Sequence, residues 1–217
     1  MKHRMPSSWR ASLGALILLA GAILASGCGT SSPPHVSTLP ASPASSPTVE
    51  VAKTIVLTSS AFREGHAIPD LYTCAGASTS PPLAWSHIPS RTASLVLIME
   101  DVSGGGDFTH WVLFNLPADA NGLSANVPHG GQLATGARQG LNDADQVGYL
   151  GPCPDLPKGA TDYYLFTLYA LDTSLNVAGG ASKLDVLAAA SGHMLAMGQL
   201  EGSYKLPPPP TATPMGK

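Results

Sequence analysis

The sequence predicts a mainly β fold, an antiparallel β-sandwich with a helix laid against one sheet, and three observations carry that prediction. Three runs, Ser94 to Met99 (SLVLIM), Trp111 to Leu116 (WVLFNL) and Tyr163 to Leu171 (YYLFTLYAL), are apolar at nearly every position. Strands covered on one face alternate, so these three should be covered on both. Shorter strand candidates at Thr54 to Thr58 and near Val127 are separated by stretches dense in Gly, Pro, Asn and Asp, as in a β domain with long loops. One late segment differs: from Lys183, apolar residues recur at Leu184, Leu187, Ala188, Met194, Leu195 and Gly198 with the helical period, behind Ser182 and Asp185 at capping-box spacing. Two packed sheets with one helix near the C-terminus satisfy all three.

The ends of the chain read differently. Lys2, Arg4 and Arg10 precede an apolar run from Leu13 to Leu24 that closes on Leu24-Ala25-Ser26-Gly27-Cys28. That run falls short of the ~20 residues a membrane-spanning helix needs, so residues 1–27 are expected to be an export signal. The small residues before Cys28 resemble the lipobox of bacterial lipoproteins. The resemblance implies cleavage before Cys28, a diacylglycerol on its thiol, acyl chains such as palmitate, and a protein anchored in the bacterial cell envelope facing outside the cytoplasm. A freely secreted protein is the other reading. Residues 28–52 are Ser, Thr, Pro and Ala with almost no large apolar side chain and are expected to be a disordered tether. Residues 53–206 form one domain's worth of sequence, and 207–217 a second disordered tail.

The net charge of −3, with no basic block, argues against a nucleic-acid partner. No C-x-x-C pair and no H-E-x-x-H occurs, so neither a metal nor a cofactor is expected. Of three cysteines, Cys28 is taken if the lipobox holds, which leaves Cys74 and Cys153 in an oxidising setting. They are either a disulfide, worth on the order of 4 kcal/mol for a loop of this length, or two buried thiols.

Chemistry concentrates at one rim. Asp101 ends the first core strand and His110 begins the second, joined by "VSGGGDFT", with Glu100 and Asp107 nearby and Gly104, Gly105 and Gly106 allowing close backbone approach. A carboxylate and an imidazole there suit acid/base work, metal ligation or hydrogen bonding to an anion. The plainer reading is that they satisfy strand-end backbone groups. His66, His87, His129 and His193 show no paired ligand spacing. No G-x-S-x-G elbow occurs and Ser103 has no base partner, so an enzyme is the weaker reading.

Seven blocks in order, "IPDLYTCAGASTSPPLAW", "LIMED", "THWVLFNLP", "GARQGLND", "GYLGPCP", "FTLYALD" and "LAAASGHMLAMGQLEGSYKL", resemble the phosphatidylethanolamine-binding protein family, in particular its bacterial branch related to Raf kinase inhibitor protein. The resemblance covers about Phe62 to Leu206 and implies two antiparallel sheets with a few short helices. It also implies a small pocket for anionic groups such as phosphate or a phospholipid head group. Asp101, His110, Gly151, Pro152 and Tyr164 match the family's pocket positions. The match breaks where the family keeps Pro and a second Asp, here Val102 and Ser103, and where it keeps His-Arg, here Asp162 and Tyr163. A carboxylate in place of an imidazole opposes an anion and turns the pocket towards polar or cationic groups, either protonated or paired with His110; loss of the arginine removes a bidentate donor.

The expected function is therefore a membrane-tethered, non-enzymatic binding protein with a pocket for a small anionic or polar ligand around Asp101, His110, Gly151, Pro152, Asp162 and Tyr164. The alternatives are a protein-interaction or inhibitor module acting on an envelope protease or kinase-like partner with a vestigial pocket, and, more weakly, a hydrolase using Asp101 and His110.

Overall fold

The structure, a computed structural model, describes residues 51–104, 107–154 and 161–205. Every described residue belongs to one compact unit. The expected signal segment 1–27, the lipidation site Cys28, nearly all of the tether and the 207–217 tail lie outside the described residues.

Ten strands and one α-helix follow in chain order: β1 (Ala52–Lys53), β2 (Val56–Thr58), β3 (His66–Ala67), β4 (Leu83–Ser86), β5 (Ser94–Asp101), β6 (Phe108–Pro117), β7 (Gly122–Leu123), β8 (Arg138–Gln139), β9 (Asp162–Leu171), α1 (Lys183–Ala190) and β10 (Met194–Tyr204). A short 3-10 turn covers Asp70–Tyr72. The large sheet runs β1-β10-β9-β5-β6-β8, with β3 also on β10; the small sheet runs β2-β4-β7. Pairing is antiparallel except for β1 and β3, which lie parallel to β10. Ala52 pairs with Ala196.

The three all-apolar runs are the middle of the large sheet, and their burial explains their sequence. On β5, Leu95, Leu97 and Met99 pack between the sheets with Trp111, Leu113, Phe166, Leu168 and, from the small sheet, Leu57, Leu83 and Trp85. Val96 and Ile98 turn the other way and pack with Val112, Phe114, Val186 and Ala190 under α1. Both faces are covered, so alternation has no solvent side on which to appear.

Two expectations are corrected. The helix ends at Ala190, and Met194, Leu195 and Gly198 belong to β10; the Ser182–Asp185 capping box does open α1, but Val186 and Ala190 are its buried residues while Leu184 and Ala188 are exposed. The inward residues of β10 include Ala196, Gly198 and Gly202, where small size is enforced: a Cβ on Gly198 would lie 2.4 Å from Ile55 O and one on Gly202 2.6 Å from Ile68 Cγ1. Alternation of small against partly covered side chains does not read as a strand. Val127 lies in a loop, where its N–H donates to Ser80 Oγ, and the strand of that region is β7.

Among the described residues no helix is long and apolar enough to cross a membrane.

Candidate functional site

The cleft at one end of the large sheet starts from a counting event in β6. Met99 pairs with Trp111 but Glu100 pairs with Thr109, so β6 carries one extra residue, His110, at a bulge. Trp111 and Leu113 already face the inter-sheet core. Regular alternation would send His110 to the helix side, whereas the bulge turns it to the same side as Trp111. There its ring lies between Phe108, 4.9 Å away by centroid, and the edge of Tyr164, 5.2 Å away at 81°.

His110 Nδ1 donates to Leu150 O at 2.9 Å, which fixes the tautomer and leaves Nε2 without a partner among the described residues, on a residue that lines the cleft. Burial pulls its pKa down, against opposing pulls from the Leu150 carbonyl, Asp101 and Asp143. Asp143 stands behind it, accepting from Thr109 N–H through Oδ2 at 2.7 Å.

The carboxylates come from the two neighbouring strands. Asp101 ends β5 opposite Tyr164 of β9 and Phe108 of β6. Its Oδ1 accepts from Ser103 N–H at 2.8 Å, shaping the turn that leaves the strand. Asp162 opens β9, two residues before Tyr164 and therefore on the same face. It lines the cleft while being 2% exposed, and its Oδ1 has no partner among the described residues. Burial raises its pKa, and the charge of Asp101 adds to the rise. The Tyr164 hydroxyl is also buried and makes no well-formed hydrogen bond among the described residues, although it stands beside Asp101; burial, then the charges of Asp101 and Asp162, push its pKa upward.

The facing wall is the Gly151–Pro154 segment bound to the loop after the 3-10 turn. Cys74 and Cys153 form a disulfide with Cα atoms 5.3 Å apart. Cys74 N–H donates to Pro152 O at 3.0 Å, Gly151 N–H to Ser78 Oγ at 2.9 Å and Tyr149 hydroxyl to Tyr72 O at 2.7 Å. The loops approach so closely that a Cβ on Gly151 would sit 2.6 Å from Ser78 Oγ and 2.8 Å from Tyr72 O. Gly76 is tighter still, with a Cβ 2.2 Å from Asp70 O.

These walls enclose a cleft of about 750 Å³. Of the six residues expected at the pocket, Asp101, His110, Gly151 and Asp162 line it together; Pro152 and Tyr164 are buried behind the wall. Asp162 does not hydrogen-bond His110, whose ring is held by Leu150 instead. Glu100 points to the opposite face, where it pairs with Lys183 of α1 at 2.5 Å. His193 pairs with Asp172 away from the site. Ser103 Oγ accepts from Tyr163 N–H.

Gly76, Ser78, Phe108 and Leu150 also line the cleft and went unnoticed in the sequence. The Cys74 and Cys153 pairing is the signal that could have found the first two, since they follow Cys74 within four residues. Among the described lining residues none is Lys or Arg, and no group of three or more His, Cys, Asp or Glu is arranged to hold a metal.

Comparison with known proteins fits this architecture. The profile of the family described as phosphatidylethanolamine-binding protein matches residues 58–205. A UPF0098 protein of Methanothermobacter thermautotrophicus is 48% identical over 146 residues, covering 67% of this chain and 95% of that one. LppC of Mycobacterium tuberculosis, provisionally described as a lipoprotein, is 33% identical over 205 residues, covering 92% of this chain and 98% of its own. Among solved structures, YbcL of Escherichia coli, described as a member of the mammalian family, is similar with a TM-score of 0.64 at 29% identity, over 70% of this chain and 99% of that one. With the match spanning the sandwich and both walls of the cleft, this chain belongs to the phosphatidylethanolamine-binding protein family.

Proposed function

We propose that this chain is a membrane-tethered, non-enzymatic binding protein that holds a small polar ligand in the cleft between Asp101, His110, Gly151 and Asp162. The observation that carries the reading is the buried, unpartnered Asp162 Oδ1 facing a formed cleft. Unsatisfied buried polar groups are rare in folded proteins and cost about 1–3 kcal/mol each, so a set of them at a cavity speaks for a ligand that completes them. A polar ligand fits better than a bare anion, because phosphate would enter beside two carboxylates with no described Lys or Arg in the lining. Non-enzymatic action is supported by the lack of any hydrogen bond between His110 and a hydroxyl or thiol nucleophile among the described residues; Ser103 Oγ is engaged with Tyr163 N–H instead.

Tethering rests on the Cys28 sequence and on the likeness to LppC along nearly the whole chain. Two acyl chains suffice for stable anchoring. Calorimetric titration with acetate, phosphate, phosphoethanolamine and ethanolamine tests the pocket: the expected result is binding of at least one probe that His110→Ala abolishes. No binding of any of them sinks the reading. For the anchor, Cys28→Ser is expected to move the protein from the membrane pellet to the soluble fraction, and unchanged sedimentation would rule the lipid out.

A second reading has one observation in its favour. Val102, Phe108 and Tyr163 are exposed apolar side chains around the mouth, as on a protein-docking surface. A stoichiometric envelope partner retained by His110→Ala would favour an inhibitor.

A further inference from the structure

The polar atoms of the cleft share a deficit, and the deficit is chemically specific. Asp162 Oδ1 is an acceptor with nothing to accept from. His110, with its proton on Nδ1, offers Nε2 as a lone pair in the neutral form that burial favours. Asp101 adds a second carboxylate beside them. Against these acceptors stand only the hydroxyls of Ser78, Ser103 and Tyr164, and the two carboxylates bring negative charge with no Lys or Arg among the described lining residues. The matching ligand is rich in donors and positively charged, and an ammonium group has three donors and no acceptor. Phe108 and Leu150 give the same cleft an apolar side, where an aromatic face also favours a cation. The described residues form no metal-binding group, which leaves an organic cation.

We propose that the cleft binds a protonated primary amine with a short apolar body, using the Asp101 and Asp162 carboxylates as counter-charges and Phe108 as the surface for the body. This rests on the cleft being the ligand site. A cation beside Asp162 favours its ionised form, so any proton linked to its binding is released, whereas any linked to an anion is taken up. The titratable groups around Asp162 are Asp101 on β5, His110 on β6 with Asp143 behind it, Tyr164 on its own strand, and Tyr204 opposite it on β10, hydrogen-bonded to Asp70. Towards low pH, protonation of Asp162 and of His110 both work against the cation.

Calorimetry on the full chain with benzylamine, its neutral counterpart benzyl alcohol, and inorganic phosphate, in two buffers of different ionisation enthalpy, tests the proposal. At about pH 7.5 benzylamine should bind at least about tenfold more tightly than the alcohol, a difference of about 1.4 kcal/mol, and any proton exchanged on binding should be released rather than taken up. Asp162→Asn should weaken benzylamine about tenfold, leave the alcohol unchanged and retain the far-ultraviolet circular dichroism of the parent. Equal affinity for amine and alcohol overturns the counter-charge role. Phosphate binding with proton uptake, without benzylamine binding, overturns the proposal but keeps the cleft as a ligand site. Failure of all three probes, together with failure of the polar panel above, removes the ligand-binding reading itself.

Discussion

Glu100 and Asp101 are adjacent on one strand and meet opposite fates. Glu100 turns to the face covered by α1, where Lys183 pairs with it. Other groups of that face are tied within the chain as well: the Ser182–Asp185 box caps α1, and Asn115 exchanges hydrogen bonds with the backbone of Leu175 in both directions, while the Thr109 hydroxyl is the exception, buried without a partner among the described residues. Asp101 turns to the cleft, where Asp162 and Tyr164 keep unpartnered atoms. A carboxylate on a core strand is thus informative by its partners rather than by its presence. On one face the carboxylate is neutralised by the chain itself, and on the other the charge is left for something else to meet.

The largest blow to that contrast comes from unpinning the cleft wall. Replacing both Cys74 and Cys153 by Ser opens a loop with a sequence separation of 79 and should cost on the order of 4 kcal/mol of unfolding free energy, read by urea denaturation. Ligand binding should weaken with it, while the α1 face keeps its pairing. Next is Gly151→Ala, whose added methyl must push Ser78 or Tyr72 away; a loss of about 1–3 kcal/mol is expected. Glu100→Gln should cost about 1 kcal/mol by breaking a partly exposed ion pair, and leave ligand affinity unchanged. A change in affinity would show that the two faces are coupled.

The smallest effect should have the opposite sign. The raised pKa of Asp162 means that folding favours its neutral form, so that its contribution is complete below about pH 4 and is lost as pH rises through the raised value. Asp162→Asn should therefore melt higher than the parent at about pH 8, with the gap closing towards about pH 4. His110 slopes the other way: its lowered pKa makes stability fall as pH drops through about 6.5 towards the lowered value. A constant gap between Asp162→Asn and parent across this range would show that Asp162 keeps its ordinary titration.

The parts of the fold visible in the sequence are those where burial leaves a compositional mark. SLVLIM, WVLFNL and YYLFTLYAL announce β5, β6 and β9 because both faces are covered. β10 stayed hidden, since neighbouring chain segments at Ile55 and Ile68 exclude side chains from Gly198 and Gly202 and erase the hydrophobic signal. At the site, Asp101, His110, Gly151 and Asp162 could be reached from family likeness and strand ends. Ser78 and Gly76 could be reached only through the Cys74–Cys153 pairing, because their place depends on loops joined across 79 positions of sequence. That Tyr164 stands behind the wall follows from packing against His110, a tertiary fact with no local signature.

The bulge in β6 makes the chemistry of this protein a matter of arithmetic. Whether the cleft has an imidazole depends on the number of residues between Phe108 and Trp111, and composition alone does not record it. Deleting Thr109 would keep the sequence H-W-V-L intact and still rotate His110 towards the helix. A homologue can therefore carry every expected residue and have lost the site, or regain it by a single inserted codon.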